Sequence, residues 1–164
     1  MQTWQYIPIL GVVAVVVYFA LTASKRRGAA AEMYTKGKEA IIAAAAAQRR
    51  AGETEPAVVV AQTRTTFKAK IFFVALTNQQ LFLAEAGAQP RGFERRALSL
   101  AVERKTWHDM GNTYTTVSEG WEAKLSLPGN ETHTWRIYDA TDPNSVDAQH
   151  VRAFLHSAGA AMAA

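Results

Sequence analysis

Apolar positions run almost unbroken from Tyr6 to Ala23, and the first charged side chain is Lys25, so the chain opens with 24 uncharged residues. At about 1.5 Å of rise per residue, a helix of that length reaches roughly 30 Å, the thickness of a bilayer's hydrocarbon core. The pattern predicts a transmembrane helix over residues 1–24. From Ala29 to Arg50 the apolar positions thin to a narrow stripe, Tyr34, Ile41, Ala44 and Ala45, within a segment rich in alanine, lysine, glutamate and arginine and free of proline. That composition favours helix, Glu32 and Lys36 form an acid-before-base pair four residues apart, and Gly52 and Pro56 terminate it. Residues 25–56 are therefore expected to form a basic helical stalk and linker, with a stripe too thin for a core but wide enough to lie on a neighbouring surface.

After Ala57 the period changes. Val58–Val60, Phe67–Thr77, Gln80–Ala84, Ala97–Glu103, Thr113–Ser118, Trp121–Leu127 and Thr132–Tyr138 are rich in β-branched and aromatic residues and read as strands. Turn-forming residues separate them at Asn78-Gln79, Gly87–Gly92, Asp109–Asn112, Glu119-Gly120 and Pro128-Gly129-Asn130. About seven short antiparallel strands argue for a small barrel or sandwich. Beyond them, Val146, Val151, Phe154, Leu155 and Ala158 recur at helical spacing, with Asp142 as the expected cap and Pro143 at the first helical position. That helix would close one end of the barrel, giving a single domain over residues 57–164.

Charge gives the first segment a direction. A secretory leader carries positive charge ahead of its apolar run, whereas here Lys25, Arg26 and Arg27 follow it. The positive-inside rule then puts the N-terminus outside and the C-terminal domain in the cytoplasm. Trp4, Tyr6 and Tyr18 lie towards the ends of the span, where amphipathic rings favour the headgroup region. Gly11, Ala14 and Ala20 offer small surfaces for helix packing, and Tyr34 and Ile41 extend that possibility into the stalk. Residues 25–50 hold seven basic and two acidic side chains, but residues 57–164 hold eleven and ten. The basic character thus belongs to the membrane-proximal segment, where each cation near anionic lipid gains about 1 kcal/mol.

One segment carries a likeness. Ile71-Phe72-Phe73-Val74-Ala75-Leu76-Thr77-Asn78-Gln79-Gln80-Leu81-Phe82-Leu83 reads as strand, polar turn opening on threonine, and strand. With the C-terminal helix, it resembles the bacterial pleckstrin-homology-like (PH-like) family, over about Ala57 to Ala158. Gln80 departs from that pattern, standing where such domains often carry arginine. The resemblance implies a bent seven-stranded barrel closed by a C-terminal helix, of a kind often fused to membrane helices; with the orientation read from charge, the expected location is the cytoplasmic face of a bacterial inner membrane. It also implies an interaction or lipid-facing module without chemistry of its own.

The search for chemistry agrees with a non-enzyme. There is no cysteine, which removes disulfides, thiolate metal sites and thiol nucleophiles, and no Gly-rich phosphate loop, HExxH or GxSxG occurs. His150 and His156 fall on different sides of one helix, and His108 and His133 lie apart from them, so neither a metal site nor a cofactor is expected. Glu94, Glu103, Glu119 and Glu122 read as the solvated outer face of a sheet. Arg91, Arg95, Arg96, Arg104 and Lys105 are the candidate contacts for a protein partner or a lipid headgroup, unless Glu94 and Glu103 pair with them locally. Trp107, Trp121, Tyr114 and Phe93 are expected in cores or interfaces rather than on nucleic-acid bases. No small-molecule substrate is expected. Membrane lipids and integral-membrane proteins are the expected partners. The leading expectation is a membrane-anchored accessory or scaffolding protein. Its alternatives are a structural subunit of a respiratory or photosynthetic membrane complex and a tether that senses anionic lipid.

Overall fold

Six of seven strands form where the β-branched and aromatic runs lie, two of those runs joining in one strand. The computed structural model describes residues 7–64, 69–110 and 115–159, with side chains from residue 27 onward apart from those of 64, 110 and 115. The strands are β1 (Ala57–Arg64), β2 (Ala69–Leu76), β3 (Gln80–Glu85), β4 (Arg91–Glu94), β5 (Ser99–Met110), β6 (Thr115–Ser126) and β7 (Thr132–Tyr138). They form one antiparallel sheet in the order β4-β3-β2-β1-β7-β6-β5. Helix α1 (Ile7–Ala47) precedes the sheet and α2 (Val146–Ala158) follows it. The expected seven antiparallel strands with a C-terminal helix are present. The chain divides into two units, residues 1–36 and 37–164, so the last turns of α1 belong with the sheet.

The core lies between one face of the sheet and α2. Val59 and Ala61, Phe72, Val74 and Leu76, Leu81 and Leu83 alternate along β1 to β3, and Ala123, Leu125, Trp135 and Ile137 do so along β6 and β7. Phe154 and Leu155 of α2 complete the same cluster. Each large side chain buried this way contributes about 1.5–3 kcal/mol of transfer free energy.

Strand β2 is buried on both faces, which is why Phe72-Phe73-Val74-Ala75-Leu76 does not alternate with polar residues. The second face of β2 and its neighbour β3, with Phe73, Phe82 and Ala84, is covered by the end of α1. A Cβ built on Gly37 would stand 2.1 Å from the Phe73 ring, and one on Gly92 would meet Gln48 Oε1 at 3.2 Å. Between those two contacts Ile41 and Ala45 are buried. Ile41 and Ala45 of the stalk's thin stripe therefore lie on the domain's own sheet.

Among the described residues no helix is long and apolar enough to cross a membrane. The span expected over residues 1–24, with Trp4, Tyr6, Gly11, Ala14, Tyr18 and Ala20, lies outside the described side chains, as do Lys25 and Arg26.

Several local boundaries differ from those expected. Glu119-Gly120 is not a turn: β6 runs through it, pairing Glu119 with Thr106, and Gly120 with Lys105 on one side and Tyr138 on the other. Gly120 is small because the chains approach closely there, a Cβ on it meeting Ile137 O at 2.4 Å. Strand β5 extends past Glu103 to Met110 to follow β6, and Arg91-Gly92, expected within the turn Gly87–Gly92, instead open β4, which pairs with β3 through Glu94. Helix α2 is capped by Ser145, whose Oγ accepts from Ala148 N at 3.1 Å. Asp142 instead turns the preceding loop, its carboxylate accepting from Asn144 N at 2.9 Å, so Asp142 and Pro143 lie before the helix.

Candidate functional site

Three polar features stand out on the unit formed by residues 37–164. The first is a clamp between the residues after α1 and the β2–β3 turn. Glu53 is only 7% exposed and accepts from the Thr77 hydroxyl and, at 2.7 Å, from Arg50 N. Thr77 Oγ1 accepts in turn from Gln80 N at 2.9 Å, and its backbone N–H donates to Gln80 O at 2.9 Å, closing the turn. The Gln80 side-chain oxygen accepts from Arg50 Nε at 2.8 Å. Asn78 donates to Gly52 O and accepts from Thr54 N, while Gln79 donates to Ala51 O. Burial pushes the Glu53 carboxyl up, but the hydrogen bonds from Thr77 and Arg50 and the charges of Arg50 and Arg49 outweigh it, leaving the group below its ordinary range.

The second feature is the set of expected contact cations, which the sheet disperses. Arg91 makes a forked pair with Glu131 at 2.7 and 3.2 Å and stacks on Phe93. Arg96 pairs with Glu94 at 2.7 Å, and Arg95 donates to Ser157 O at the end of α2. Arg104 and Lys105 stand on β5, at the other end of the strand order. Lys105 pairs with Glu122 at 3.0 Å, and Glu103 pairs with Lys124 at 3.3 Å. The four glutamates expected on the outer face are all engaged with cations, Glu119 through Arg104. Arg27 is exposed, Tyr34 is half-buried, and Ile41 is fully buried.

The third feature is an open cleft of about 320 Å³ where β5, β6 and the end of β7 meet α2. Ala148, Val151 and Leu155 of α2, together with Trp121, Ala140 and Pro143, supply its apolar lining. Trp121 Nε1 donates to Asp139 Oδ1 at 3.1 Å, and Arg104 Nη1 donates to Asp139 Oδ2 at 2.6 Å. Arg104 also reaches Glu119 at 3.2 Å and lies 5.3 Å from the centroid of the Trp121 ring. Arg152 lines the cleft from α2 and donates to Pro143 O at 2.9 Å. The hydrogen bond to Asp139 leads the effects that hold the Arg104 guanidinium above its already high ordinary value, so it stays charged.

Among the described residues no group of three potential ligands is placed to hold a metal ion. His133 Nε2 lies 2.9 Å from Glu131 and its ring stacks on Trp135, while His150 Nδ1 accepts from Val58 N at 3.4 Å. Trp107 and Trp121 are buried and Phe93 is half-buried; Tyr114 lies outside the described residues. Sequence reasoning had no signal for Glu53, which reads as part of a helix terminator, or for Asp139 and Arg152, which meet only through the fold. Compared with known protein families, with curated proteins and with solved structures, the chain matches none.

Proposed function

We propose that the chain is a membrane-tethered interaction module, its PH-like domain held on the cytoplasmic face and recruiting protein partners as an accessory or scaffolding component. The observation that carries this reading is the pairing of an uncharged run of 24 residues, closed by Lys25-Arg26-Arg27, with a domain that itself covers the last turns of α1, from Gly37 onward. Ile41 and Ala45 are buried against that domain, so this stretch needs no neighbouring subunit to cover it. Seven antiparallel strands with a C-terminal helix are the arrangement that the resemblance to PH-like domains implies.

Binding rather than chemistry also fits the state of the polar groups. Asp139 is held between Arg104 and the Trp121 indole, and Glu53 is held by Thr77 and Arg50. Four of the candidate cations, Arg91, Arg96, Arg104 and Lys105, already face carboxylates, which favours protein recognition over capture of lipid phosphates. Gentle detergent extraction followed by native-mass separation tests the reading. The module is expected to migrate apart from the large membrane complexes, with substoichiometric partners. Fixed stoichiometric co-migration with an energy-transducing complex would replace it with the structural-subunit alternative.

A further inference from the structure

The cleft beneath α2 has an imbalance that defines a ligand. Its apolar lining, Trp121, Val151 and Leu155, is bordered by two guanidiniums, one from β5 and one from α2. Arg104 is already shared between Asp139 at 2.6 Å and Glu119 at 3.2 Å. The charge of Asp139 is spent in the same way, on Arg104 and on the Trp121 indole. Arg152 differs: one of its five N–H groups meets Pro143 O, and among the described residues no carboxylate pairs with it. The cleft therefore offers a surface for a short aliphatic group and one cation with donors to spare. A volume of about 320 Å³ lies at the small end of ligand sites.

We propose that this cleft binds an aliphatic carboxylate, the alkyl part lying on Leu155, Val151 and the Trp121 ring and the carboxylate meeting Arg152. Two sources supply that chemistry: the C-terminal residue of a partner peptide, and a free fatty acid. An ammonium group is disfavoured, because the cleft's one lining carboxylate is already engaged twice. The inference rests on the reading of the domain as a binding module and names what the module would recognise.

The test uses the full chain in detergent, ¹⁵N-labelled at its indoles, with the Trp121 signal identified by Trp121→Phe. N-acetyl-leucine represents the peptide terminus, octanoate the fatty acid, and N-acetyl-leucinamide and octanamide are their uncharged counterparts. At least one acid is expected to shift the Trp121 indole saturably, with Kd on the order of 1 mM for so small a ligand. Its amide should bind at least about tenfold more weakly, and Arg152→Gln should abolish that preference, while Arg152→Lys retains part of it. Whichever acid responds identifies the source. No saturable shift, equal binding of acid and amide, or an unchanged preference in Arg152→Gln would each overturn the proposal. The amide comparison needs no variant, so a folding defect cannot imitate it, and a negative result here leaves the tether and its native-mass test untouched.

Discussion

Glu53 keeps its charge in a place water barely reaches, and the cost of that burial is offset by donors from two directions. Its folded pKa lies below the ordinary 4.5, so the stability it contributes is fully present above that value and is lost as pH falls through the depressed one. Glu53→Gln retains the shape but exchanges a charged acceptor for an amide, and is expected to cost about 1–3 kcal/mol. Urea unfolding at pH 7 measures that loss. Repeated at steps below pH 4.5, the gap between wild type and variant should close; a gap independent of pH would mean the carboxylate plays no such part. Gly120 makes a second point at this scale. Gly120→Ala is expected to lose about 1–3 kcal/mol, because its Cβ would meet a backbone oxygen, which has no rotamer by which to give way.

At the scale of elements, the end of α1 is where helix propensity and packing oppose each other. Replacing a helical glycine by alanine ordinarily gains up to about 1 kcal/mol. Gly37→Ala should instead destabilise, since the Phe73 ring occupies the space a methyl group would need. Gly28→Ala, with nothing within 4 Å, provides the comparison and should not lose stability. Thermal unfolding of the two variants decides, and a more stable Gly37→Ala would contradict the packing of α1 on β2. The stripe of Ile41 and Ala45 was legible in the sequence because helical spacing is local; the surface it meets was not, because an unbroken run such as Phe72–Leu76 signals burial without naming what lies on either side. Gly120 misled for a related reason. Glycine marks turns and close approaches alike, and only the pairing with Tyr138 tells which. Strand β4 was missed because Arg91-Gly92-Phe93-Glu94 is short, polar and glycine-bearing, and its strand form comes from pairing with β3. The cleft was invisible for the same reason at longer range: Arg104, Asp139 and Arg152 are far apart in sequence and no local pattern joins them.

For the molecule as a whole, the two halves of the chain divide the work by composition. On the proposed reading the uncharged N-terminal run and its three following cations specify a membrane and a side, and residues 37–164 form a domain close to electrical balance around a core of their own. If the proposed tether holds the chain at the membrane, removing residues 1–24 should send it to the soluble fraction. The most direct measurement of the central claim exploits the absence of cysteine. Single cysteines at Gln2 and at Ala153, an exposed position on α2, are labelled in intact cells with a membrane-impermeant maleimide, before and after permeabilisation. The account predicts labelling of Gln2→Cys from outside at once and of Ala153→Cys only after the membrane is opened. Labelling of Ala153→Cys in intact cells, or protection of both until the membrane is opened, would contradict it.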